Sequence, residues 1–428
     1  MNPIYVDHLP LKSEMINQLP MMNHQIEHCP LDSDTYISSL EKTYESMYNV
    51  GDSGDSSSED NGDNHFFEGA EKRLVLYLTD ENGDDADLRK ISRSAWETML
   101  DLVNCRVLNV ISNENTIAYL LSESSMFIFK NCVMIKTCGS TTLLHCLEKL
   151  LELVKMAGFE MIEDLFYSHK NLLVPSLQIQ PHHSFLKESE YLDKLFNGQS
   201  HLFGHVNSDR FYLYTLNNKY RETNGNEHFK FEIIMEELDE KVMSLFVRPQ
   251  PNGIMNESIT ASDVTRKSGI DKLIPEMVID DYFFTPCGYS MNGLFGPYYM
   301  TIHITPESDF SYVSLEMNVP QSDYPKFIRS VLNVFKPGKF MLNLTTPDLS
   351  VITARRPNKG LYIVDDHHQP KMDQSNDSIP FIDNVHGLML YEDLMVATFT
   401  DYRRVDLQLS HYKHSDIIYA RYVIEGIS

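Results

Sequence analysis

Residues 106–156, RVLNVISNENTIAYLLSESSMFIFKNCVMIKTCGSTTLLHCLEKLLELVKM, decide the fold class. Four short apolar runs, Arg106–Ile111, Ile117–Leu121, Met126–Phe129 and Cys132–Thr137, are separated by Asn, Ser and Glu breaks. Such spacing predicts short strands joined by tight turns. Thr141 to Met156 then changes period: Leu143, Leu144, Leu147, Leu150, Leu151 and Val154 recur at helical intervals, and Gly158 stands where a helix stop is expected. The pattern is strands first, helix after, which is α+β.

Working upstream, KRLVLYLT at Lys72–Thr79 is apolar on both faces and predicts a buried strand. Ser94 and Glu97 suit a capping box for a helix carrying Trp96, Met99, Leu100 and Val103. Downstream the order repeats. Tyr298–Thr305 and Tyr312–Glu316 predict strands, Pro325–Phe335 an amphipathic helix, and Pro337-Gly338 a break before a further strand. This predicts two similar halves, about 63–235 and 236–405, with loops at 217–228, 248–262 and 366–379. Residues 406–428 are left as a C-terminal extension with no assigned role. Residues 1–62 read as a disordered acidic tail: the first 64 residues hold 12 Asp/Glu against 2 Lys/Arg, and GDSGDSSSEDNGDN (51–64) has too little apolar surface to offset its ordering entropy.

Across all 428 residues, 61 acidic and 36 basic side chains leave a net charge of -25. That excess argues against a nucleic-acid or anionic-membrane binder, which needs clustered Lys and Arg. No run reaches the roughly 20 apolar residues of a bilayer span, and no secretory signal is expected from MNPIYVDHLPLKSEM. The six cysteines, Cys29, Cys105, Cys132, Cys138, Cys146 and Cys287, form neither metal-ligand pairs nor a disulfide framework. A cytoplasmic, reduced chain without a metal is expected.

Chemistry concentrates in Leu121–Phe127, LSESSMF, and in Lys136-Thr137-Cys138-Gly139. A serine hydroxyl held in a strained turn between strands can attack the preceding carbonyl. The amide then becomes an ester, and β-elimination cuts the chain. The new N-terminal dehydroalanine hydrolyses to a pyruvoyl group, an electron sink of the kind pyridoxal phosphate provides elsewhere. Alone, Glu-Ser-Ser is ordinarily a polar turn.

It does not stand alone. His65-Phe66-Phe67-Glu68-Gly69, Leu121–Phe127, Lys136–Gly139, Asp263-Val264-Thr265-Arg266, PCGYSMNG (286–293) and TIHITPE (301–307) occur in this order. Together they closely resemble the eukaryotic S-adenosylmethionine decarboxylases, pyruvoyl enzymes of polyamine synthesis, from about His65 to about Thr400. The resemblance implies a four-layer αββα sandwich of two antiparallel sheets with helices outside. It implies cleavage between Glu123 and Ser124, with Ser124 becoming the pyruvoyl that forms a Schiff base with S-adenosylmethionine. The two products stay together as a heterodimer, and any further dimerisation is left open.

The same resemblance assigns roles. Cys138 matches the proton donor, and Ser290 and His303 the residues that assist processing; along its strand His303 shares a face with Thr301 and Thr305. Phe67 and Phe284 match the aromatics that sandwich adenine, Glu307 the acceptor for the ribose hydroxyls, and Glu68 and Glu71 the acids lining the site. Cys287 is read as packing beside Pro286. Glu232, Glu316 and Lys136 match parts of the putrescine site of animal members. Val75 and His228 stand where those sequences have acids, Lys230 where they have a threonine, and Leu394 where they have a tyrosine. Losing two carboxylates and gaining a lysine should abolish a diamine site, with the Lys230 ammonium taking one amine's place. Two alternatives from other classes are a Cys-His hydrolase using Cys138 and His303, and a non-catalytic regulatory relative.

Overall fold

The computed structural model describes residues 5–6, 9–10, 67–79, 85–205, 207–216, 229–250, 258–347, 397–411 and 415–425. The acidic tail lies outside them, except for strands β1 (Tyr5–Val6) and β2 (Leu9–Pro10). So do the loops at 217–228 and 366–379, His228, Leu394 and residues 251–257 of the third loop.

Two sheets face each other. The first contains β3 (Lys72–Thr79), β4 (Val107–Ser112), β5 (Ile117–Leu121), β6 (Ser124–Ile128), β7 (Cys132–Thr137), β8 (Met161–Lys170), β9 (Gly198–Phe203) and β10 (Phe211–Leu216), with β1 and β2 at its edge. Its order is β2-β1-β8-β3-β7-β6-β5-β4, with β10 also paired to β8 and β9 to β10. All pairings are antiparallel except β1 with β8. The second sheet runs β12 (Val278–Phe283), β13 (Tyr289–Phe295), β14 (Tyr298–Thr305), β15 (Tyr312–Met317), β11 (Lys230–Leu238), β16 (Pro337–Pro347), β18 (Ser415–Ile424) and β17 (Tyr402–His411), antiparallel throughout.

The helices are α1 (Arg93–Asp101), α2 (Leu147–Met156), α3 (Phe185–Asp193), α4 (Glu240–Met243), α5 (Ala261–Ser268) and α6 (Tyr324–Phe335). Three buried clusters define the layers. Trp96, Met99, Leu147 and Leu150 pack with Leu74, Leu76 and Ile135 on the outer face of the first sheet. Phe327, Ile328 and Val331 pack with Phe231, Ile233 and Ile302 on the outer face of the second. Val75, Phe127 and Phe166 meet Ile234, Leu294 and Tyr419 between the sheets. This is the αββα sandwich, and the period-2 alternation of strand side chains produces it: odd positions of β3 face one layer and even positions the other.

Local readings held to differing degrees. Lys72–Thr79, Ile117–Leu121, Cys132–Thr137 and Tyr298–Thr305 coincide with strands. The predicted helix 141–156 opens instead with a short 3-10 turn, Leu143–Cys146, before α2. The cap of α1 is Ser92, whose extended backbone lets its hydroxyl accept from the Ala95 amide; Ser94 lies inside the first turn, and Glu97 pairs with Arg93 at 2.7 Å. β11 belongs to the second sheet from Lys230, ahead of the expected junction at 235/236, and residues 415–424 form a strand paired along β16. Alternating Ile418, Ala420 and Tyr422 bury against the α6 layer, which gives the terminal segment its place.

Candidate active site

β5 and β6 are joined by a two-residue turn, Ser122-Glu123, with Leu121 paired to Ser124. Ser124, the first residue after the turn, has φ +123°, a conformation that costs an L-residue and that glycine favours. Its hydroxyl donates to Glu71 Oε1 at 2.5 Å, and the other Glu71 oxygen accepts from Ser314. The carbonyl of Glu123, one bond upstream, accepts the backbone N–H of Cys138 at 3.0 Å and faces its thiol at 3.5 Å. Two donors therefore converge on the carbonyl that Ser124 follows.

Beyond the turn, residues of β13 and β14 reach across the inter-sheet space. Ser125 donates to Asn292 Oδ1 at 2.7 Å and lies 3.0 Å from His303 Nε2. Ser290 Oγ is 2.8 Å from His303 Nδ1, and Thr301 Oγ1 is 2.8 Å from Nε2. Glu71 Oε1 stands 3.8 Å from the ring. Burial pushes the imidazole down to about 4, with the nearby Glu71 only partly opposing it. His303 is therefore neutral near pH 7 and able to take a proton. The cysteine behaves oppositely: burial, then Glu123 and Glu71, raise the Cys138 thiol well above its ordinary range. It stays protonated.

A cleft of about 210 Å³ opens beside this turn, lined by Phe67, Glu68, Glu123, Gly139, Leu177 and Gln178 among others. Gly139 has φ +63°, and a Cβ there would come within 3.1 Å of the Phe67 ring. Phe284 is not among the residues lining this cleft and stands edge-on to Tyr282 and beside Gly288. Glu307 is reached by the Cys287 thiol at 3.6 Å, while its buried Oε2 has no hydrogen-bond partner among the described residues. Burial raises the Cys287 thiol to about 11. Glu68 is fully engaged: its carboxylate accepts from the backbone amides of Ala70, Leu173 and Val174. Burial still lifts it above the usual carboxylate range.

Deeper between the sheets lies a closed ionic cluster. Arg73 grips Glu316 at 2.9 Å, Lys136 bridges Glu71, Glu232 and Glu316 at 3.1–3.2 Å, and Lys230 pairs with Glu232 at 3.0 Å. Three cations thus meet three carboxylates. Burial penalises each charge, but Arg73 and Lys136 hold Glu316 far below its ordinary value, and Lys230 and Lys136 hold Glu232 down. Lys230 is itself lowered, because burial outweighs its one close carboxylate. Val75 lines the same face as an apolar residue.

Sequence reasoning passed over Arg73, Ser125, Asn292 and Ser314. Each has a period-2 or adjacent signal: Arg73 lies two residues from Glu71, Ser314 two from Glu316, Asn292 two from Ser290, and Ser125 directly follows Ser124. The dyad needed for a Cys-His hydrolase is not formed. Among the described residues, Cys138 contacts Glu123 and Thr141, whereas His303 contacts Ser125, Ser290, Thr301 and Glu71. No group of three or more His, Cys, Asp or Glu among the described residues could hold a metal ion, and no described helix is long and apolar enough to cross a membrane.

A strained serine, a neutral buried histidine and a converged carbonyl, all between two antiparallel sheets, define an α+β protein with its site inside the sandwich. The sequence profile of the family described as adenosylmethionine decarboxylase matches residues 64–423. The S-adenosylmethionine decarboxylase proenzyme of Drosophila melanogaster is 45% identical over 65% of this chain and 82% of its own length. Those of Xenopus laevis and Dictyostelium discoideum are 46% and 41% identical, over 65% and 71% of this chain and 83% and 80% of theirs. The chain belongs to the adenosylmethionine decarboxylase family.

Proposed function

We propose that this decarboxylase is made as a proenzyme that cuts itself between Glu123 and Ser124 and then decarboxylates S-adenosylmethionine to the aminopropyl donor of spermidine and spermine synthesis, releasing CO2. The observation that carries the proposal is the Glu123–Ser124 turn itself: positive φ at the serine, its hydroxyl on Glu71, and two Cys138 donors on the Glu123 carbonyl.

In this scheme Ser124 Oγ forms a bond to the Glu123 carbonyl carbon while its proton moves toward Glu71. The negative oxygen that develops is met by the Cys138 N–H and thiol, donors already fixed before reaction. The C–N bond then breaks, the nitrogen takes up a proton, and an ester remains. His303, neutral through burial and oriented by Ser290 and Thr301, is the base for the Ser124 α-proton. The Cβ–O bond breaks, Glu123 leaves as a carboxylate, and hydrolysis of the residual enamine yields the ketone and ammonia. That ketone supplies an electron sink for loss of the substrate carboxylate.

The remaining residues bind or deliver protons. Cys138, whose thiol stays protonated, gives the proton to carbon. Phe67 stacks on one face of adenine and Phe284 on the other. The unpartnered Glu307 oxygen suits a ribose hydroxyl. Glu71 serves the serine, and Glu68 shapes the cleft through its three amide bonds. Lys230, with Arg73, completes the ionic cluster formed by Lys136, Glu232 and Glu316, so that turnover needs no added diamine.

The test is a denaturing gel with intact mass. The purified chain should separate into residues 1–123 and 124–428, the larger with a blocked N-terminus, and Ser124→Ala should stay whole and inactive. A whole wild-type chain that decarboxylates would overturn the proposal. A whole and inactive one would favour the regulatory relative.

A further inference from the structure

Lys72 is absent from the chemistry above, yet it is fully buried and on β3 directly opposite Thr137, one residue before Cys138. Its ammonium touches two neutral oxygens, the Gly139 carbonyl at 3.1 Å and Gln178 Oε1 at 2.9 Å. No carboxylate lies within ion-pair distance of it among the described residues; Glu188, held by Tyr167, His169 and His182, and Glu68 act only from farther off. Burying a charge on neutral acceptors is costly, and the fold keeps it at the turn that carries the thiol.

We infer that Lys72 is a positioning residue for Cys138: its ammonium ties the Cys138–Gly139 turn to the cleft wall at Gln178 and stabilises the thiolate left when Cys138 gives up its proton. The inference deepens the proposed function and rests on its choice of Cys138 as donor. The charged surroundings leave the task to Lys72. Burial and the neighbouring Glu123, Glu71 and Cys105 disfavour the thiolate, whereas Lys72 favours it. Arg106 acts on Glu123, and His182 on Glu188.

The thiol can be read without any turnover. In full-length Ser124→Ala chain, iodoacetamide forms an S–C bond to the Cys138 thiolate and releases iodide, and peptide mass spectrometry follows its rate against pH. Lys72→Met should slow Cys138 labelling at pH 8 about tenfold, and Lys72→Arg should restore it to within about twofold. Cys287 labelling should not change, and the buried Cys105 and Cys146 report any unfolding. Should Lys72→Met fail to fold, Gln178→Glu keeps the lysine but sets a carboxylate against it, and the same slowing is expected. Unchanged Cys138 labelling in the folded variants would overturn the inference. Failure of the decarboxylase proposal shows separately, as an uncut wild-type chain.

Discussion

Ser124 Oγ and Glu71 Oε1 are 2.5 Å apart, with the serine on the first sheet's β6 and the carboxylate on the residue just before β3. Glu71 is held from the other side by Lys136 and Ser314, so it cannot swing away from the hydroxyl. Glu71→Gln should therefore slow self-cleavage by roughly 10²-fold while the chain still folds. A time course of fragment appearance after refolding measures this, and cleavage at the wild-type rate would remove Glu71 from the step.

His303→Ala should stall cleavage more severely, by roughly 10²–10⁴-fold, because the ester forms but its α-proton is not removed. Hydroxylamine cuts esters and not amides. Treated variant should release fragments at the 123/124 junction, whereas the Ser124→Ala chain should not.

The histidine also fixes a pH window. Its folded value of about 4 lies below the ordinary 6.5, so between these values the unfolded chain binds more protons than the folded one. From this group, stability rises with pH from about 4 to about 6.5 and is level above. The wild-type cleavage rate should hold from pH 8 to near pH 5 and fall only around pH 4. An inflection near 6.5 would mean that the base is another group.

Glu316 closes the ionic cluster against both Arg73 and Lys136 and also accepts from Tyr299 at 2.8 Å. Glu316→Ala strands the buried Arg73 and leaves Lys136 with Glu71 and Glu232 alone. A loss of about 3–5 kcal/mol is expected, read from the urea midpoint of the Ser124→Ala background.

Lys230 is the weakest-held charge in that cluster. Wild-type turnover should be indifferent to putrescine. Lys230→Ala leaves Glu232 Oε2 without its partner and should lower activity, with millimolar putrescine restoring part of it. Several-fold stimulation of the wild type would show that the diamine site survives.

Much of this was legible before any coordinates. The α+β class follows from short strands and amphipathic helices, because period 2 and period 3.6 leave different apolar patterns in β3, β14, α2 and α6, whereas the αββα layering was implied only by the family resemblance. The motifs around the Glu123–Ser124 bond stand out in the sequence by their order. The strain at Ser124 was not, since φ depends on how the Ser122-Glu123 turn meets β7. Nor was the partnership of Arg73 with Glu316, which are 243 positions apart and meet only when the two sheets face each other. Residues 415–424 likewise read as an extension until the pairing with β16 gave their apolar alternation a face to bury. Local chain chemistry sets the elements and their faces; which side chains touch across the sandwich is set by packing, where burial brings Arg73 and Lys136 of the first sheet onto Glu316 of the second.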